Sequence, residues 1–416
     1  MIKILHSSDF HIGKLLYERK RYDEFENFFD WFLNCINKEL IDIVLIAGDI
    51  FDTGTPSNKA QELYYKLLAG LSKSYCQHVV IIGGNHDSAS FLQAPKNLLR
   101  SLNVHVVASV SENLEDEVLV LDLKGNSISS LIVCAVPYLR DKDIRIVKAG
   151  ESIEDKAKNL VNGIKEHYQR IGELALTKRA EINAKKESGS YIPIIGMGHL
   201  FAAGGVSGDG VRDLYVGSLA YVNVDVFPTC FDYVALGHLH IPQRLADSEY
   251  IRYSGSPLAM GFGEANQKKK MLLVEIFPNA EKNIKEISVP IFQDLMKISG
   301  DLNFIKSELV KLIKAESSAW LEIDYTGEEI IPDLKEKLEE LVLESKLEIC
   351  RIRNKKNLNM ILQEDSIEEK LEHLDPVEVF NKCLEASQVL ESEKALLNFS
   401  YREILDNIFT EKAENH

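Results

Sequence analysis

Hydrophobic residues in the first quarter of the chain follow two alternating patterns. Short continuous apolar runs at 2–5, 43–47 and 79–82 predict buried strands. Between them, apolar residues recur at helical spacing from Tyr22 to Leu40, and residues 57–73 also have a helical pattern. This strand-helix-strand-helix-strand order predicts a largely parallel sheet with helices on its faces.

The remaining pattern divides the chain into three predicted parts. Further strands are predicted at 131–136, 192–197, 232–236 and 271–277, with a charged helix over 152–187. Beyond residue 283, alternating strand-like and helical segments predict a small α+β domain, and from about residue 357 the chain is acidic and helical. The predicted domains are therefore residues 1–282, 283–356 and 357–416.

Composition indicates an ordinary globular protein of 416 residues. No apolar run reaches the roughly 18 residues of a membrane span, and the first apolar run meets Ser7, Ser8 and Asp9 too early for a signal peptide. We therefore expect a cytoplasmic protein without membrane contact. The six cysteines are scattered without a C-x-x-C pair, which disfavours both a disulfide framework and a thiolate zinc site.

The net charge of −16 argues at first against nucleic acid as a partner. The charge is uneven, however. Residues 357–416 hold 14 acidic and 5 basic residues, a net of −9, whereas the first 356 residues hold 50 acidic and 43 basic, a net of −7. Bound divalent cations would locally offset part of the negative charge of the first 356 residues. Composition therefore leaves a DNA substrate open.

Five short polar motifs follow predicted strands. Sites in open α/β sheets form outside the carboxyl ends of the strands, so we expect the five to converge on one sheet edge. They are Asp9-Phe10-His11, Gly48-Asp49-Ile50-Phe51-Asp52, Gly84-Asn85-His86-Asp87, Gly198-His199 and Gly237-His238-Leu239-His240.

The residue types in these motifs suit a pair of divalent cations. Carboxylate, amide and imidazole groups favour harder ions such as manganese. A D-x-H or H-x-H pair on an extended segment sends both side chains to the same side, and the glycines allow the backbone to approach the ions. Each motif alone is typical of a turn with a surface histidine, but all five in this order indicate a two-metal site.

This set of motifs resembles the signature of the calcineurin-like metallophosphoesterases, and most closely the SbcD family of DNA exonuclease subunits. The likeness runs over nearly the whole chain and is densest in residues 1–262. Segments similar to that family are Ile4–His11, Ala47–Gly54, Val136–Arg140, Val211–Gly217 and Arg252–Pro257.

The resemblance implies an α/β fold in which two mixed sheets are sandwiched between helices, followed by a small α+β capping domain and a C-terminal helical segment. It implies two divalent cations, most often Mn²⁺, with Mg²⁺ as the alternative. One ion would be held by Asp9, His11, Asp49 and His240, and the second by Asp49, Asn85, His199 and His238. His86 would be the catalytic histidine beside them.

The resemblance also implies a metal-dependent DNA nuclease, acting as an exonuclease on double-stranded ends and as an endonuclease on single strands and hairpins. It would work with the ATPase subunit SbcC in DNA repair and recombination, as a homodimer within a heterotetramer. Two amphipathic stripes within residues 376–408 would dock on that partner. The alternative is that they fold back on the capping domain.

Three other functions compete with the nuclease. A phosphatase of this superfamily carries an arginine after G-D-x-x-D, where this chain has Thr53, which disfavours it. A small-molecule phosphodiesterase leaves the last 150 residues unexplained. A non-catalytic scaffold of a repair complex would not need every ligand position.

Several residues near the motifs have open roles. We expect Asp52 to support the site without binding metal, and Asp87 either to orient His86 or to cap the next helix. Phosphate contacts are candidates among two basic runs, for which a solvated face is the favoured alternative: Lys14, Arg19, Lys20 and Arg21, and Lys268–Lys270.

Overall fold

The computed structural model describes residues 1–144, 152–185, 191–202, 222–329, 331, 333–354 and 401. The chain forms two compact units, Met1–Asp294 and Leu295–His416. The predicted helical segment 357–416 lies outside the described residues apart from Tyr401. No described helix combines the length and the apolar character needed to cross a membrane.

The first unit contains fourteen strands and six helices among its described residues. The strands are β1 (Ile2–Ser7), β2 (Leu15–Leu16), β3 (Arg19–Lys20), β4 (Ile43–Ala47), β5 (His78–Ile82), β6 (Val104–Val107), β7 (Val118–Asp122), β8 (Ser130–Ala135), β9 (Ile194–His199), β10 (Tyr233–Gly237), β11 (Gln243–Leu245), β12 (Ser248–Tyr253), β13 (Lys270–Ile276) and β14 (Lys282–Ser288). The helices are α1 (Tyr22–Glu39), α2 (Asn58–Leu71), α3 (Ala89–Gln93), α4 (Lys96–Ser101), α5 (Asp141–Ile144) and α6 (Ile153–Lys185), with 3₁₀ turns at Leu114–Glu117, Val224–Val226 and Phe262–Glu264.

Most of these strands form two six-stranded mixed sheets. The first has the order β14-β13-β1-β4-β5-β6, and the second β11-β12-β10-β9-β8-β7. Strands β1, β4, β5 and β6 are parallel, as the sequence pattern predicted, whereas β13 and β14 add antiparallel strands at one edge. In the second sheet the four central strands are parallel and both edge strands are antiparallel.

Three apolar layers hold the unit together. The inner faces of the two sheets pack on each other through residues such as Ile4, Leu45 and Met197. The outer face of the first sheet packs on α1 and α2, and that of the second on α6. Because strands such as β4 and β10 are buried on both faces, their sequences are continuous apolar runs. The result is the predicted sandwich of two mixed sheets between helices.

The second unit is a smaller α+β layer. Its parallel sheet, in the order β15-β16-β17, packs on two helices through Ile305, Leu309, Ile323 and Leu338. The elements are β15 (Leu295–Gly300), α7 (Leu302–Lys314), β16 (Trp320–Tyr325), α8 (Leu334–Val342) and β17 (Glu348–Asn354). The predicted boundary at 282 falls inside the first unit, because β14 pairs with β13 along its whole length.

His6 makes a polar contact across the apolar layer between the sheets. His6 on β1 is fully buried, with Nδ1 2.9 Å from the Tyr233 hydroxyl and Nε2 3.2 Å from the Leu236 carbonyl oxygen. A carbonyl oxygen only accepts, so Nε2 carries the proton and Nδ1 accepts from the tyrosine. Burial lowers the pKa of His6 to about 3, despite the opposing hydrogen bond to Leu236. The sheets are therefore linked by a neutral imidazole.

This burial predicts a pH-dependent stability. The folded pKa lies below the unfolded value of 6.5, so the contribution of His6 is complete above that pH and declines as pH falls towards 3. Between pH ~6.5 and ~5, the wild-type free energy of unfolding should fall by about 2 kcal/mol more than that of His6→Asn. Urea unfolding of the chelator-treated proteins measures this. Tyr233→Phe, which keeps the imidazole, should retain the wild-type dependence, and equal dependence in wild type and His6→Asn would contradict the assignment.

Candidate metal centre

The five polar motifs meet at one end of the sandwich. The first three follow β1, β4 and β5 of the first sheet, whereas the last two lie at the ends of β9 and β10 in the second. The expectation of a single sheet edge was therefore wrong in this respect, because the motifs come from the carboxyl ends of two facing sheets. Sequence periodicity finds strands but does not assign them to sheets.

One group of ligand atoms comprises Asp9, His11 and His240. Their ligand atoms all lie within 4.8 Å of one another, and all three residues are buried. The Nε2 atoms of His11 and His240 are 3.2 Å apart. Asp9 also accepts the backbone N–H of His238, at 2.9 Å to Oδ1, which fixes its carboxylate across the two sheets.

A second buried group comprises Asp49, His199 and His238, again with ligand atoms within 4.8 Å of one another. The side-chain oxygen of Asn85 is 3.0 Å from His199 Nε2, which adds the predicted amide. Asp49 Oδ2 lies 3.4 Å from His199 Nε2 and 3.6 Å from His11 Nε2. The Asp49 carboxylate therefore contacts both groups, and the structure brings together all seven predicted ligands.

The backbone around these groups is unusual. Asp9, His11, Asp49 and His238 have φ values of 54°, 48°, 50° and 100°, a region that non-glycine residues seldom occupy. Such conformations cost of order 1–3 kcal/mol each and cluster at functional sites. A Cβ on Gly84 would overlap with the carboxylate of Asp49, so only glycine allows that approach.

The second nitrogen of several imidazoles is held by an acceptor. His199 Nδ1 lies 2.9 Å from the Ala47 carbonyl oxygen, and His86 Nδ1 lies 2.7 Å from that of Asp52. Because a carbonyl accepts only, each Nδ1 carries a proton, and Nε2 is the nitrogen that faces the centre. For His199, a predicted ligand, this arrangement is typical of metal-ligating histidines.

Acidic and basic side chains at the centre lie close enough to shift one another's pKa values. Burial alone would raise the pKa of Asp49, but His199, His11 and His86 hold that pKa far below its ordinary value. Burial would lower the pKa of His199, but the Asp49 carboxylate outweighs it and raises the pKa to about 9. Burial and the neighbouring His199 keep the pKa of His238 well below its ordinary value. Without a bound cation, Asp49 is therefore ionised and His238 is neutral, whereas His199 is protonated at neutral pH, and a cation that binds through His199 must displace that proton.

The donor atoms fit divalent cations. His238 Nε2 is buried and has no hydrogen-bond partner among the described residues, which is costly unless another group occupies the site. The donors are carboxylate and amide oxygens and imidazole nitrogens without a thiolate, a set suited to ions such as Mn²⁺.

Comparison with known proteins identifies the family. Residues 2–242 match the calcineurin-like phosphoesterase family, and residues 291–388 match the SbcD C-terminal family, described as the Type 5 capsule protein repressor C-terminal domain. The chain is 30% identical to the SbcD subunit of the nuclease SbcCD of Escherichia coli K12, over 98% of each chain. The chain belongs to the SbcD family of calcineurin-like phosphoesterases. The chain also matches the D subunits of nuclease SbcCD from two other bacteria. It is 33% identical to that of Rhodobacter capsulatus over 66% of each chain, and 30% identical to that of Bacillus subtilis over 78% of each chain.

Membership of the SbcD family makes this chain a metal-dependent phosphoesterase. The family fold uses divalent metals, and the two ligand groups of this structure supply places for them. The predicted fold class is confirmed with it.

Asp52 has a supporting position in this SbcD-family site. Its Oδ1 lies 3.4 Å from His11 Nδ1 and 3.0 Å from Lys14 Nζ, while its backbone carbonyl accepts from His86. Burial would raise the pKa of Asp52, but His11 and Lys14 hold it far below its ordinary value. The ionised side chain therefore orients one predicted ligand, and its backbone orients the predicted catalytic histidine.

Asp87 takes neither of the two roles that the sequence suggested. It accepts the backbone N–H groups of Ile50, Phe51 and Gly84 at 3.1, 2.9 and 2.8 Å, and thereby ties two motif loops together. The helix that follows is capped by Ser88, whose hydroxyl accepts from Phe91 N. A contact between loops 37 residues apart leaves no local sequence signal.

The candidate phosphate-binding residues divide by burial. Arg21 is 2% exposed in a two-point ion pair with Glu24, and Lys269 is 7% exposed, so neither is available to a large substrate. Lys14 is committed to Asp52. Arg19 and Lys20, on a short hairpin beside the first motif, are exposed.

Sequence reasoning missed Glu264. This carboxylate is fully buried and lies 3.3 Å from His240 Nδ1. Burial would raise its pKa, but His240 and Lys269 keep it below its ordinary value. Glu264 follows no strand and belongs to no motif, and 24 residues separate it from His240, so only the fold reveals the contact.

Proposed function

We propose that this chain is the nuclease subunit of a DNA-processing complex and hydrolyses phosphodiester bonds by a two-metal mechanism. Asp9, His11, Asp49 and His240 hold one cation, and Asp49, Asn85, His199 and His238 hold the second. The observation that carries the proposal is the position of Asp49, whose Oδ2 faces imidazoles of both groups at 3.4 and 3.6 Å. A single carboxylate in this position suits a bridging ligand.

The cations supply the central chemistry. When bound, two divalent ions polarise the scissile phosphate and activate the attacking water. Mn²⁺ is the proposed ion and Mg²⁺ the alternative, since imidazole donors favour the former over the latter.

His86 provides the proton in this proposal. Its Nδ1–H is held by the Asp52 carbonyl, and its Nε2 faces the centre, 4.0 Å from Asp49 Oδ2. In its imidazolium form, with both nitrogens protonated, the ring can donate the Nε2 proton to the oxygen that leaves phosphorus and return to the neutral imidazole. Its backbone N–H donates to Asp49 Oδ1 at 3.0 Å, which fixes the donor relative to the metal ligands.

DNA is the proposed substrate, cut exonucleolytically at double-stranded ends and endonucleolytically in single strands and hairpins. The relatives that share the family are named nuclease subunits, and one matches over nearly its whole length. Thr53 occupies the place of the phosphatase arginine, which disfavours a phosphomonoester substrate. A phosphatase or small-molecule phosphodiesterase on the same scaffold is the alternative.

The Asp49→Ala variant tests this function. Loss of the shared carboxylate should remove both ions and reduce cleavage to background, because each ligand group loses a donor. Isothermal titration with Mn²⁺ measures binding, and a labelled oligonucleotide assayed beside p-nitrophenyl phosphate measures the substrate class. Two ions still bound by the variant would refute the bridging role, and wild-type protein that hydrolyses only the monoester would refute the nuclease.

The His86→Ser variant separates catalysis from metal binding. Removing a proton-transfer group should lower the DNA cleavage rate by roughly 10²–10⁴-fold while Mn²⁺ and DNA binding persist. Single-turnover kinetics with a metal titration on the same sample measure both. A variant that loses metal would make His86 a ligand, and one with an undiminished rate would remove it from the mechanism.

An ATPase subunit of the SbcC type is the proposed partner, with two copies of each subunit in the complex. The matched relatives are named as subunits of SbcCD, and the two amphipathic stripes within residues 376–408 are the proposed docking segment. Truncation after residue 356 should leave a metal-binding nuclease that no longer co-elutes with the ATPase in size-exclusion chromatography. Co-elution of the truncated chain would refute this docking site.

A further inference from the structure

A buried ion pair lies directly behind the predicted ligand His240. The two oxygens of Glu264 have different partners: Oε1 faces His240 Nδ1 at 3.3 Å, while Oε2 accepts from Lys269 Nζ at 2.6 Å and from Met260 N at 2.9 Å. Glu264 is 0% exposed and Lys269 7%. The carboxylate is therefore out of reach of substrate and acts on the centre through the imidazole.

We propose that Glu264, neutralised by Lys269, is a positioning residue for His240 that sets the ring tautomer and so the affinity of one of the two metal sites. The inference rests on the proposed function, because it takes His240 as a ligand. A carboxylate only accepts, so the proton of His240 is placed on Nδ1 and the lone pair on Nε2, towards His11. An anionic acceptor also makes the imidazole a stronger donor to a cation.

The lysine holds the backbone of the same histidine. Its ammonium donates to the His240 carbonyl oxygen at 3.3 Å and to Ser256 Oγ at 3.0 Å. Ser256 N also donates to that carbonyl, at 3.2 Å. Ring and backbone of His240 are therefore both fixed by one buried network, which includes part of the Arg252–Pro257 segment.

A purely structural ion pair explains this arrangement less well. Replacing a buried ion pair by well-packed apolar side chains is often neutral or stabilising, so holding the loop does not in itself require these two charges. Only an acceptor at this position selects the His240 tautomer. Oε1 is directed to the ring although Lys269 and a backbone amide already occupy Oε2.

Metal binding by single and paired variants tests the proposal. The wild-type chain should bind two Mn²⁺ per molecule. Glu264→Ala should weaken one site by roughly 10–100-fold and leave the other, as expected for loss of a carboxylate that supports a ligand. Glu264→Gln, which keeps an acceptor for Nδ1–H, should recover part of that loss. Isothermal titration measures the affinities, and electron paramagnetic resonance of the bound Mn²⁺ should change from a coupled pair to a single ion.

Two further variants separate positioning from folding. Glu264→Ala/Lys269→Met leaves no unpaired buried charge and should fold with one site still weakened. Glu117→Gln is the matched control, because Glu117 is equally buried and pairs with His167 on α6, at 2.8 Å, away from the ligand groups. It should bind both ions as the wild type does.

The combination with His240→Ala gives the sharpest result. Because Glu264 acts through that ring, adding Glu264→Ala to His240→Ala should weaken the site no further. Three results would each overturn the proposal. They are wild-type affinity at both sites in Glu264→Ala/Lys269→Met, additive losses in Glu264→Ala/His240→Ala, and a matching loss of affinity in Glu117→Gln. A wild-type chain that binds fewer than two ions would instead overturn the proposed function, and with it this inference.

Discussion

The Asp49 carboxylate is the charge around which this fold is arranged. It is 2% exposed at the end of β4, where an unpaired charge would be prohibitively unfavourable. Imidazoles approach its Oδ2 from both sheets: His199 from the second, at 3.4 Å, and His11 and His86 from the first, at 3.6 and 4.0 Å. Compensation of this one buried charge therefore requires the two sheets to be aligned at their carboxyl ends. The same alignment brings the two ligand groups into contact.

That alignment depends on very close packing between the sheets. The Ala47 carbonyl oxygen at the end of β4 accepts from His199 on β9, and a Cβ on Gly237 of β10 would overlap with the same oxygen. Glycine at 237 thus sets how near the second sheet can come, since any larger residue would push it away. His6 adds a polar link deeper in the layer, through Tyr233 and Leu236. The apolar core supplies the attraction between sheets, and these few contacts define its register.

The sequence predicted this structure where the information is local. Apolar runs on strands buried on both faces, such as β4 and β5, were located to within a residue or two, and the motifs that follow strands contain the seven predicted ligands. β12 was missed because its sequence, SEYIRY, is mostly polar on a partly exposed edge region. The division of strands between two sheets, the loop-tying role of Asp87 and the contact of Glu264 with His240 are all long-range. They depend on pairing and packing, for which a single sequence has no periodic signal.

The supporting residues show how the site is preorganised. Asp87 accepts amides from the loop of Asp49 and from its own loop, and His86 N donates to Asp49 Oδ1. The loop that carries the proposed proton donor is thus hydrogen-bonded to the loop that carries Asp49, the proposed shared ligand, so the two cannot shift independently. Since a misplacement of about 1 Å can cost 10²-fold in rate, such coupling matters as much as the identity of the reacting groups. Asp52 extends this coupling between the loops, because its side chain contacts His11 and its backbone carbonyl contacts His86. Asp49 has a positive φ value, which is a strained conformation for a non-glycine residue. The hydrogen bonds within and between the two loops hold this conformation, which the isolated segment would not keep.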